Sequence, residues 1–270
     1  MWQKLNRIDT FELEKVRIQL LNAIQLVSAA PRCYSKEINK PKPDWLLWNS
    51  DLSSMDSAKF GSKEKVKLSL DIEQFVLSIY GNKNHIEHLV LSGITYPMAF
   101  GWLKIKLETF SLNADLYSDE TSYAIEHTLT QNDELNVTNQ QVFSDLQIYY
   151  SNAFDLLNQV SKDLEIDAKP AINPATLNLA LTQNKSNVPI SFGFSPGNKS
   201  YPEPYFFVQL DHINDHIIHQ IAKTIGIWNN KDWYGLVLMA SEFLSLNPED
   251  ESNKILDFFT KNYWRLLENN

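Results

Sequence analysis

The sequence predicts an α+β protein in which antiparallel sheets pack against long helices. Two long segments, residues 9–30 and 139–164, place apolar side chains at helical spacing with polar residues opposite. Shorter segments alternate apolar and polar residues, which is typical of half-buried strands. Two of these, residues 75–80 and 86–91, flank Gly81-Asn-Lys-Asn84, and this spacing predicts a hairpin with antiparallel pairing.

The first half of the chain also contains weaker signals. Asp9 is expected to cap the first helix, and Pro31 is expected to end it. Residues 95–110 fit both a strand and a helix, and Pro97, which suits the first turn of a helix, favours the helix. Residues 50–64 are polar and predict a loop.

A polar connection at residues 129–138 is the best candidate for a domain boundary. It divides the chain into an N-terminal α+β half, 1–130, and a C-terminal α+β half, 131–270. Each half is predicted as a helix, three strands and a helix, so the halves are expected to be similar; one compact domain is the alternative. The second half has predicted strands near residues 177–181, 190–194, 206–210 and 235–239, and a last helix that Asn247 caps and Pro248 begins.

Composition excludes several classes of function. The chain has 24 basic and 33 acidic residues, a net charge of −9, which argues against a nucleic-acid partner. Its single cysteine, Cys33, rules out an internal disulfide or a CxxC site. The eight glycines form neither a dinucleotide fingerprint nor a phosphate-binding loop, so no cofactor is expected. A polar N-terminal segment and the lack of a long apolar run predict a soluble, cytoplasmic protein that does not enter a membrane.

One motif resembles the nucleophile elbow of serine hydrolases. Gly193-Phe-Ser195-Pro-Gly197 fits the GxSxG pattern. The residue after the nucleophile must donate its backbone N–H to the oxyanion, and Pro196 has none. The residues that follow, NKSYPEP, cannot begin a helix, so a strand that ends in a proline–glycine turn is the favoured interpretation.

Histidines offer an enzymatic alternative. His212, His216 and His219 would lie within a narrow arc of a helix and could present imidazoles to one zinc ion. Isoleucines occupy the opposite face, so a solvated polar face explains the same pattern and no metal site is expected. His127 beside Glu126 is a second candidate for a metal-dependent or hydrolase-like enzyme.

Aromatic residues with polar neighbours cluster at 201–207 and at 228–234. An aromatic cleft with a few polar groups is what a small-ligand site requires, although core packing explains the same residues. The candidate cleft consists of Ser195, Asn198, Glu203, Tyr205, Trp228, Asn230 and Trp233.

Several of these segments resemble an uncharacterised bacterial family whose members carry WPHHFD, SPGD…SYxEPYxY and HWHTxGWxGAVL segments. The similar segments here are FSPGN with SYPEPYF, at 194–206, and IWNNKDWYGLVL, at 227–238; GITYPMAFGWL, at 93–103, and NPATLNLA, at 173–180, are fainter matches. The resemblance implies a shared fold and site position but no reaction. The family's histidines and aspartates are replaced by groups that do not ionise near neutral pH, namely Ala175, Thr176, Asn178, Asn198, Ile227 and Asn229.

These observations favour a non-catalytic, small-ligand-binding protein. The alternatives are a degenerate or active metal-dependent or hydrolase-like enzyme, and a protein-interaction module with exposed aromatic residues. The sequence determines neither the ligand nor the oligomeric state.

Overall fold

The computed structural model describes residues 2–34, 44–62, 65–82, 85–121, 123–184, 189–212 and 225–268. This part of the chain forms α-helices and antiparallel sheets, which confirms the predicted α+β class. No helix within these ranges combines the length and the apolar character needed to cross a bilayer. The helices are α1 (Thr10–Tyr34), α2 (Tyr96–Thr109), α3 (Gln140–Asp163) and α4 (Pro248–Glu268).

The first sheet has five antiparallel strands that neighbour one another in chain order. The predicted hairpin is confirmed as β4 and β5. The prediction of a loop over 50–64 is wrong in part, because β2 lies inside it; its polar Ser54 and Asp56 are buried and hydrogen-bonded to each other. The strands are β1 (Leu47–Asn49), β2 (Ser54–Asp56), β3 (Lys67–Asp71), β4 (Val76–Tyr80) and β5 (Ile86–Val90).

A short pair and a six-stranded sheet complete the described strands. The pair is β6 (Ile94–Thr95) with β7 (Glu134–Leu135). The second sheet has the order β12-β13-β11-β10-β9-β8, so β13 lies between β11 and β12. Its strands are β8 (Ala171–Ile172), β9 (Leu179–Gln183), β10 (Ile190–Ser195), β11 (Tyr205–Leu210), β12 (Ile227–Asn229) and β13 (Tyr234–Met239).

The chain divides into two compact units. Unit 1 comprises Met1–Glu14, Ile148–Ala171 and Asn178–Asn270, and unit 2 comprises Lys15–Gln147 and Ile172–Leu177. The predicted boundary between residues 130 and 131, and the predicted similarity of the two halves, stay predictions.

Local signals explain most helix ends. Asp9 caps α1, since its Oδ1 accepts hydrogen bonds from the backbone N–H groups of Phe11 (3.0 Å) and Glu12 (3.1 Å). The expectation that Pro31 ends this helix is wrong, because α1 continues to Tyr34. A proline removes a single backbone hydrogen bond, and contacts beyond it hold the last turn, including the ion pair of Arg32 with Asp44 at 2.9 Å.

In unit 1, one face of the second sheet packs against helices through aromatic rings. Phe194 of β10 contacts Tyr149 and Tyr150 of α3, with ring centroids 5.7 and 5.1 Å away. Phe192 of the same strand meets Phe259 of α4 edge to face at 5.8 Å. Such ring pairs add to the free energy gained from burying the apolar area.

In unit 2, the first sheet has a buried apolar face and a polar face. Leu68 and Leu70 of β3, with Leu77 and Ile79 of β4, are fully buried. The intervening positions, such as Ser69 and Ser78, point to the opposite face, because side chains alternate along a strand.

Two glycines of the second sheet make room for aromatic rings. A Cβ on Gly193 would lie 2.2 Å from Cζ of Phe207, the residue directly opposite on β11. A Cβ on Gly235 would lie 2.1 Å from the backbone oxygen of Val208 and 2.6 Å from the Trp233 ring. All three distances are far below van der Waals contact, so each position requires glycine.

We expect Gly235→Ala to lower the free energy of unfolding by about 1–3 kcal/mol, because the methyl group meets backbone that cannot move aside. Gly101→Ala is the matched control: a Cβ there, within α2, meets nothing within 4 Å. That change should leave stability unchanged or raise it by about 0.5–1 kcal/mol. Urea unfolding measures both, and equal effects of the two substitutions would contradict the steric explanation.

Candidate functional site

Ser195 is the last residue of β10 and is 1% exposed. Its Oγ accepts a hydrogen bond from the backbone N–H of Gly197 at 3.3 Å. Residues 196–204 form turns and no helix, as the proline–glycine interpretation predicts. A nucleophile elbow opens a helix and exposes its serine, so this buried serine shapes the turn instead.

Asn198 and Tyr205 lie together and bind each other. The Asn198 side-chain amide donates to the Tyr205 hydroxyl at 2.8 Å. The side-chain oxygen of Asn198, Oδ1, accepts hydrogen bonds from the backbone N–H groups of Ser200 (2.9 Å) and Tyr201 (2.8 Å). The side chain therefore fastens its own loop to the sheet.

Glu203 forms its hydrogen bonds with Ser241, in the same unit. Its carboxylate accepts hydrogen bonds from the backbone N–H and the hydroxyl of Ser241, both at 2.8 Å. Glu203 also lines a shallow cavity of about 160 Å³ with Pro202 and the segment Arg7–Thr10. It does not share the Asn198–Tyr205 contacts.

The tryptophan segment is only partly as predicted. Trp233 packs edge to face on Phe207 at 5.9 Å, and the buried Nε1 of Trp228 has no hydrogen-bond partner among the described residues. Asn230 is exposed, whereas its neighbour Asn229 is 3% exposed. Asn229 accepts from the Tyr201 hydroxyl at 3.1 Å and donates to the Trp233 backbone oxygen at 2.5 Å.

Asn229 is thus a residue of this cluster that sequence reasoning did not select. It lies opposite Gly235 in the β12–β13 pair. The structure brings together Asn198, Tyr205 and Trp233, with Tyr201 and Asn229, around the apolar group Ala180, Tyr205, Phe207 and Val237. The side chains of Asn198, Tyr201, Tyr205 and Asn229 form hydrogen bonds with one another or with nearby backbone.

The structure gives no support to a metal centre at the histidine candidates that it describes. His212 is exposed after β11, and His216 and His219 lie outside the described residues. Glu126 pairs with Arg17 at 3.2 Å, and His127 contributes its backbone oxygen to Asn22. No group of three or more His, Cys, Asp or Glu side chains within the described ranges could hold a metal ion.

A different concentration of polar groups lies on the polar face of the first sheet. Asp56, Ser69, Ser78 and His88 lie directly opposite one another on β2, β3, β4 and β5. Residues aligned across a sheet project to the same face, so these four side chains form one row.

Asp56 is the centre of this face. The residue is 5% exposed, and its Oδ1 accepts from the hydroxyls of Ser54 (2.8 Å) and Ser69 (2.5 Å). Its Oδ2 accepts from Asn49 (2.8 Å) and from the Lys67 ammonium group (2.5 Å). Four donors, one of them charged, offset the cost of burying the carboxylate.

The rest of the row joins hydroxyl, imidazole and aromatic groups. The Ser78 hydroxyl lies 2.8 Å from Nδ1 of His88, in hydrogen-bond contact. Tyr80 lies edge to face with His88 at 6.5 Å, and Lys67 Nζ lies 4.8 Å from the centre of the Tyr80 ring. These contacts hold the side chains of three strands in fixed positions.

A cavity of about 210 Å³, which we call the sheet-face cavity, opens on this surface. Asp71 lies on its wall, where its Oδ1 accepts from the Gln74 backbone N–H at 2.8 Å. Burial raises the pKa of the Asp71 carboxyl above 3.8, although the hydrogen bond from Gln74 opposes the shift. The cavity is lined by Leu52, Ser54, Ser69, Asp71, Gln74, Val76, Ser78, Tyr80 and His88.

Sequence reasoning located β4 and β5 as a hairpin, but it placed β2 in a loop and did not recognise the cavity. The available signal is the alternation of Lys67 and Ser69 with Leu68 and Leu70 in β3, a pattern that predicts a half-buried strand. His88 is exposed on the edge strand β5, and its ring also contacts the Ser78 hydroxyl. The sequence of β2 alone does not predict that Asp56 is buried, because partners of its carboxylate lie on another strand.

We expect Asp56→Ala to lower the free energy of unfolding by about 3 kcal/mol, because it leaves Lys67 and two buried hydroxyls without their acceptor. Asp51→Ala, at an exposed position of the β1–β2 turn, is the control and should change stability by less than about 0.5 kcal/mol. Chemical unfolding followed by circular dichroism provides the comparison. A loss below about 1 kcal/mol for Asp56→Ala would show that the network is not a stabilising element.

Asp71 makes a prediction about pH. Its raised pKa means that the folded protein holds this proton more tightly than the unfolded chain, so burying the ionised carboxylate destabilises the fold. This penalty is absent below 3.8 and develops as the pH rises through the raised pKa. Asp71→Asn should therefore raise the free energy of unfolding relative to the unmodified protein more at about pH 7 than at about pH 3. An equal effect at both values would contradict the burial of this group.

Comparison of the chain with protein-family models, with curated proteins and with solved structures finds no match. The resemblance to the family with the WPHHFD segment therefore stays a prediction.

Proposed function

We propose that this protein binds a small molecule without transforming it, and that the ligand occupies the sheet-face cavity. The observation that carries the proposal is the combination of an open cavity with buried hydroxyls that are held in place from behind by Asp56. Ligand sites typically join apolar walls to a few precisely held polar groups.

The dimensions of the cavity support a ligand of few atoms. Pockets for drug-sized molecules enclose roughly 300–1,000 Å³, and this one encloses about 210 Å³. Leu52 and Val76 offer apolar contact at the wall, and Ser54 and Ser69 offer polar contact at the floor.

The cleft predicted at residues 195–205 and 228–233 is a weaker candidate for the same function. Asn198, Tyr205 and Asn229 use their polar atoms on one another or on nearby backbone. A ligand there would have to displace these contacts, which costs free energy.

Catalysis is the second candidate function, and the Ser78–His88 contact is the observation that favours it. A hydroxyl within 2.8 Å of an imidazole is the arrangement of a nucleophile with its general base. Labelling of Ser78 by a fluorophosphonate, abolished in Ser78→Ala, would establish this function in place of simple binding.

The composition supports two further parts of the proposal, the absence of a nucleic-acid partner and a cytoplasmic location. With 33 acidic and 24 basic residues the protein is expected to avoid nucleic acid, and its single cysteine suits the cytoplasm.

A thermal-shift screen of small molecules tests the proposal. A ligand stabilises the folded state by RT ln(1 + [L]/Kd), about 2.7 kcal/mol at a hundredfold excess over Kd. Val76→Phe should abolish this shift, because the larger ring fills the cavity.

Leu47→Phe is the matched control for that substitution. Leu47 is exposed on the same face of the first sheet, opposite Asp56, and does not line the cavity. Hits should keep their shift in Leu47→Phe. A set of hits whose shifts all persist in Val76→Phe would overturn the sheet-face cavity as the binding site.

A further inference from the structure

The hydrogen bonds at the floor of the sheet-face cavity restrict the chemistry of its ligand. A serine hydroxyl has one hydrogen to donate and two lone pairs that accept. Ser54 and Ser69 both direct that hydrogen to Oδ1 of Asp56. Each of them therefore presents only lone pairs to the cavity, so a polar group bound against these two hydroxyls must be a hydrogen-bond donor.

The charges around the cavity also favour a hydrogen-bond donor, and specifically a cation. Asp71 adds a carboxylate to the wall. Lys67 is the nearby cation, but it is not among the lining residues and its ammonium group is bonded to Asp56. Burial raises the pKa of Asp71, and the negative charge of Glu73 adds to the shift.

We infer that the sheet-face cavity binds a small primary ammonium ion that carries a short apolar group. The inference rests on the proposed function. An ammonium group has three N–H donors, which matches the three acceptors of Ser54, Ser69 and Asp71. Leu52 and Val76 contact the apolar group.

Other ligand classes fit this lining less well. An anion would meet the carboxylate of Asp71 and the outward lone pairs of two hydroxyls. A metal ion needs a set of strong ligands, and no group of three His, Cys, Asp or Glu residues in the described ranges supplies one. A neutral alcohol has one O–H group and could donate to only one of the three acceptors, Ser54, Ser69 and Asp71, at a time.

Titration of the full chain with three molecules of the same length tests the inference: n-butylamine hydrochloride, n-butanol and sodium butyrate, at equal ionic strength. Calorimetry or amide chemical shifts give the dissociation constants. Butylammonium should bind saturably and about tenfold or more tightly than the other two, because charge-assisted hydrogen bonds are the stronger ones.

Asp71→Asn keeps the shape of the wall and removes its charge, and should weaken butylammonium binding by about tenfold or more. Asp51→Asn removes a charge from the exposed turn of the same sheet and should weaken binding less than about twofold. A second probe needs no variant: n-butyltrimethylammonium keeps the charge but lacks N–H donors, and should also bind about tenfold or more weakly.

The outcomes separate the ligand class from the proposed function. Tighter binding of butanol or butyrate that Val76→Phe abolishes would overturn the ammonium class and leave the cavity as a ligand site. Equal binding of butylammonium by Asp71→Asn would also overturn it. Absence of saturable binding by all three molecules, together with a thermal-shift screen in which no hit responds to Val76→Phe, would overturn both.

Discussion

The polar face of the first sheet depends on one buried carboxylate. Asp56 accepts hydrogen bonds from a lysine, an asparagine and two serines on three different strands, at distances of 2.5–2.8 Å. A carboxylate taken out of water is tolerated only when such partners replace its hydration. Because the partners belong to β1, β2 and β3, the same group that needs them also fixes the relative positions of their side chains.

That arrangement explains how a cavity can exist beside a packed core. The opposite face of the sheet carries Leu68, Leu70 and Leu77, which are fully buried and supply the apolar contacts of unit 2. The polar face needs no further packing, since its side chains are held by hydrogen bonds. Space remains above Ser69 and Ser78 because serine is short, while Leu52 and Val76 form the wall.

Sequence patterns predicted several strands and most helix ends because those depend on near neighbours in the chain. Asp9 caps α1 through its own Oδ1, and Pro97 lies in the first turn of α2; both are local effects. Pro31 was misjudged because contacts to residues distant in the chain hold the helix beyond it. β2 was missed since its polar residues become buried through partners on other strands.

The residues of the predicted cleft also show that sequence patterns do not reveal contacts between residues distant in the chain. Trp233 and Tyr205 were selected for their type, and both do lie in one aromatic cluster. Asn230 was selected and is exposed, whereas Asn229, one residue earlier, is buried. The choice between two adjacent asparagines depends on strand register, and the pairing of Asn229 with Gly235 is a property of the folded sheet.

The two polar clusters differ in what their hydrogen bonds leave available, and this difference decides which of them suits a ligand. In the second sheet, Asn198 and Asn229 both donate and accept within the cluster, so the tyrosines and loops are closed on one another. In the first sheet, the hydroxyls of Ser54 and Ser69 both donate to Asp56, so their lone pairs are left to accept from another group. A closed network stabilises a fold, whereas one with unused acceptors beside a cavity is prepared for a donor from outside. The direction of the hydrogen bonds, more than the number of polar residues, therefore distinguishes the structural cluster from the proposed binding site.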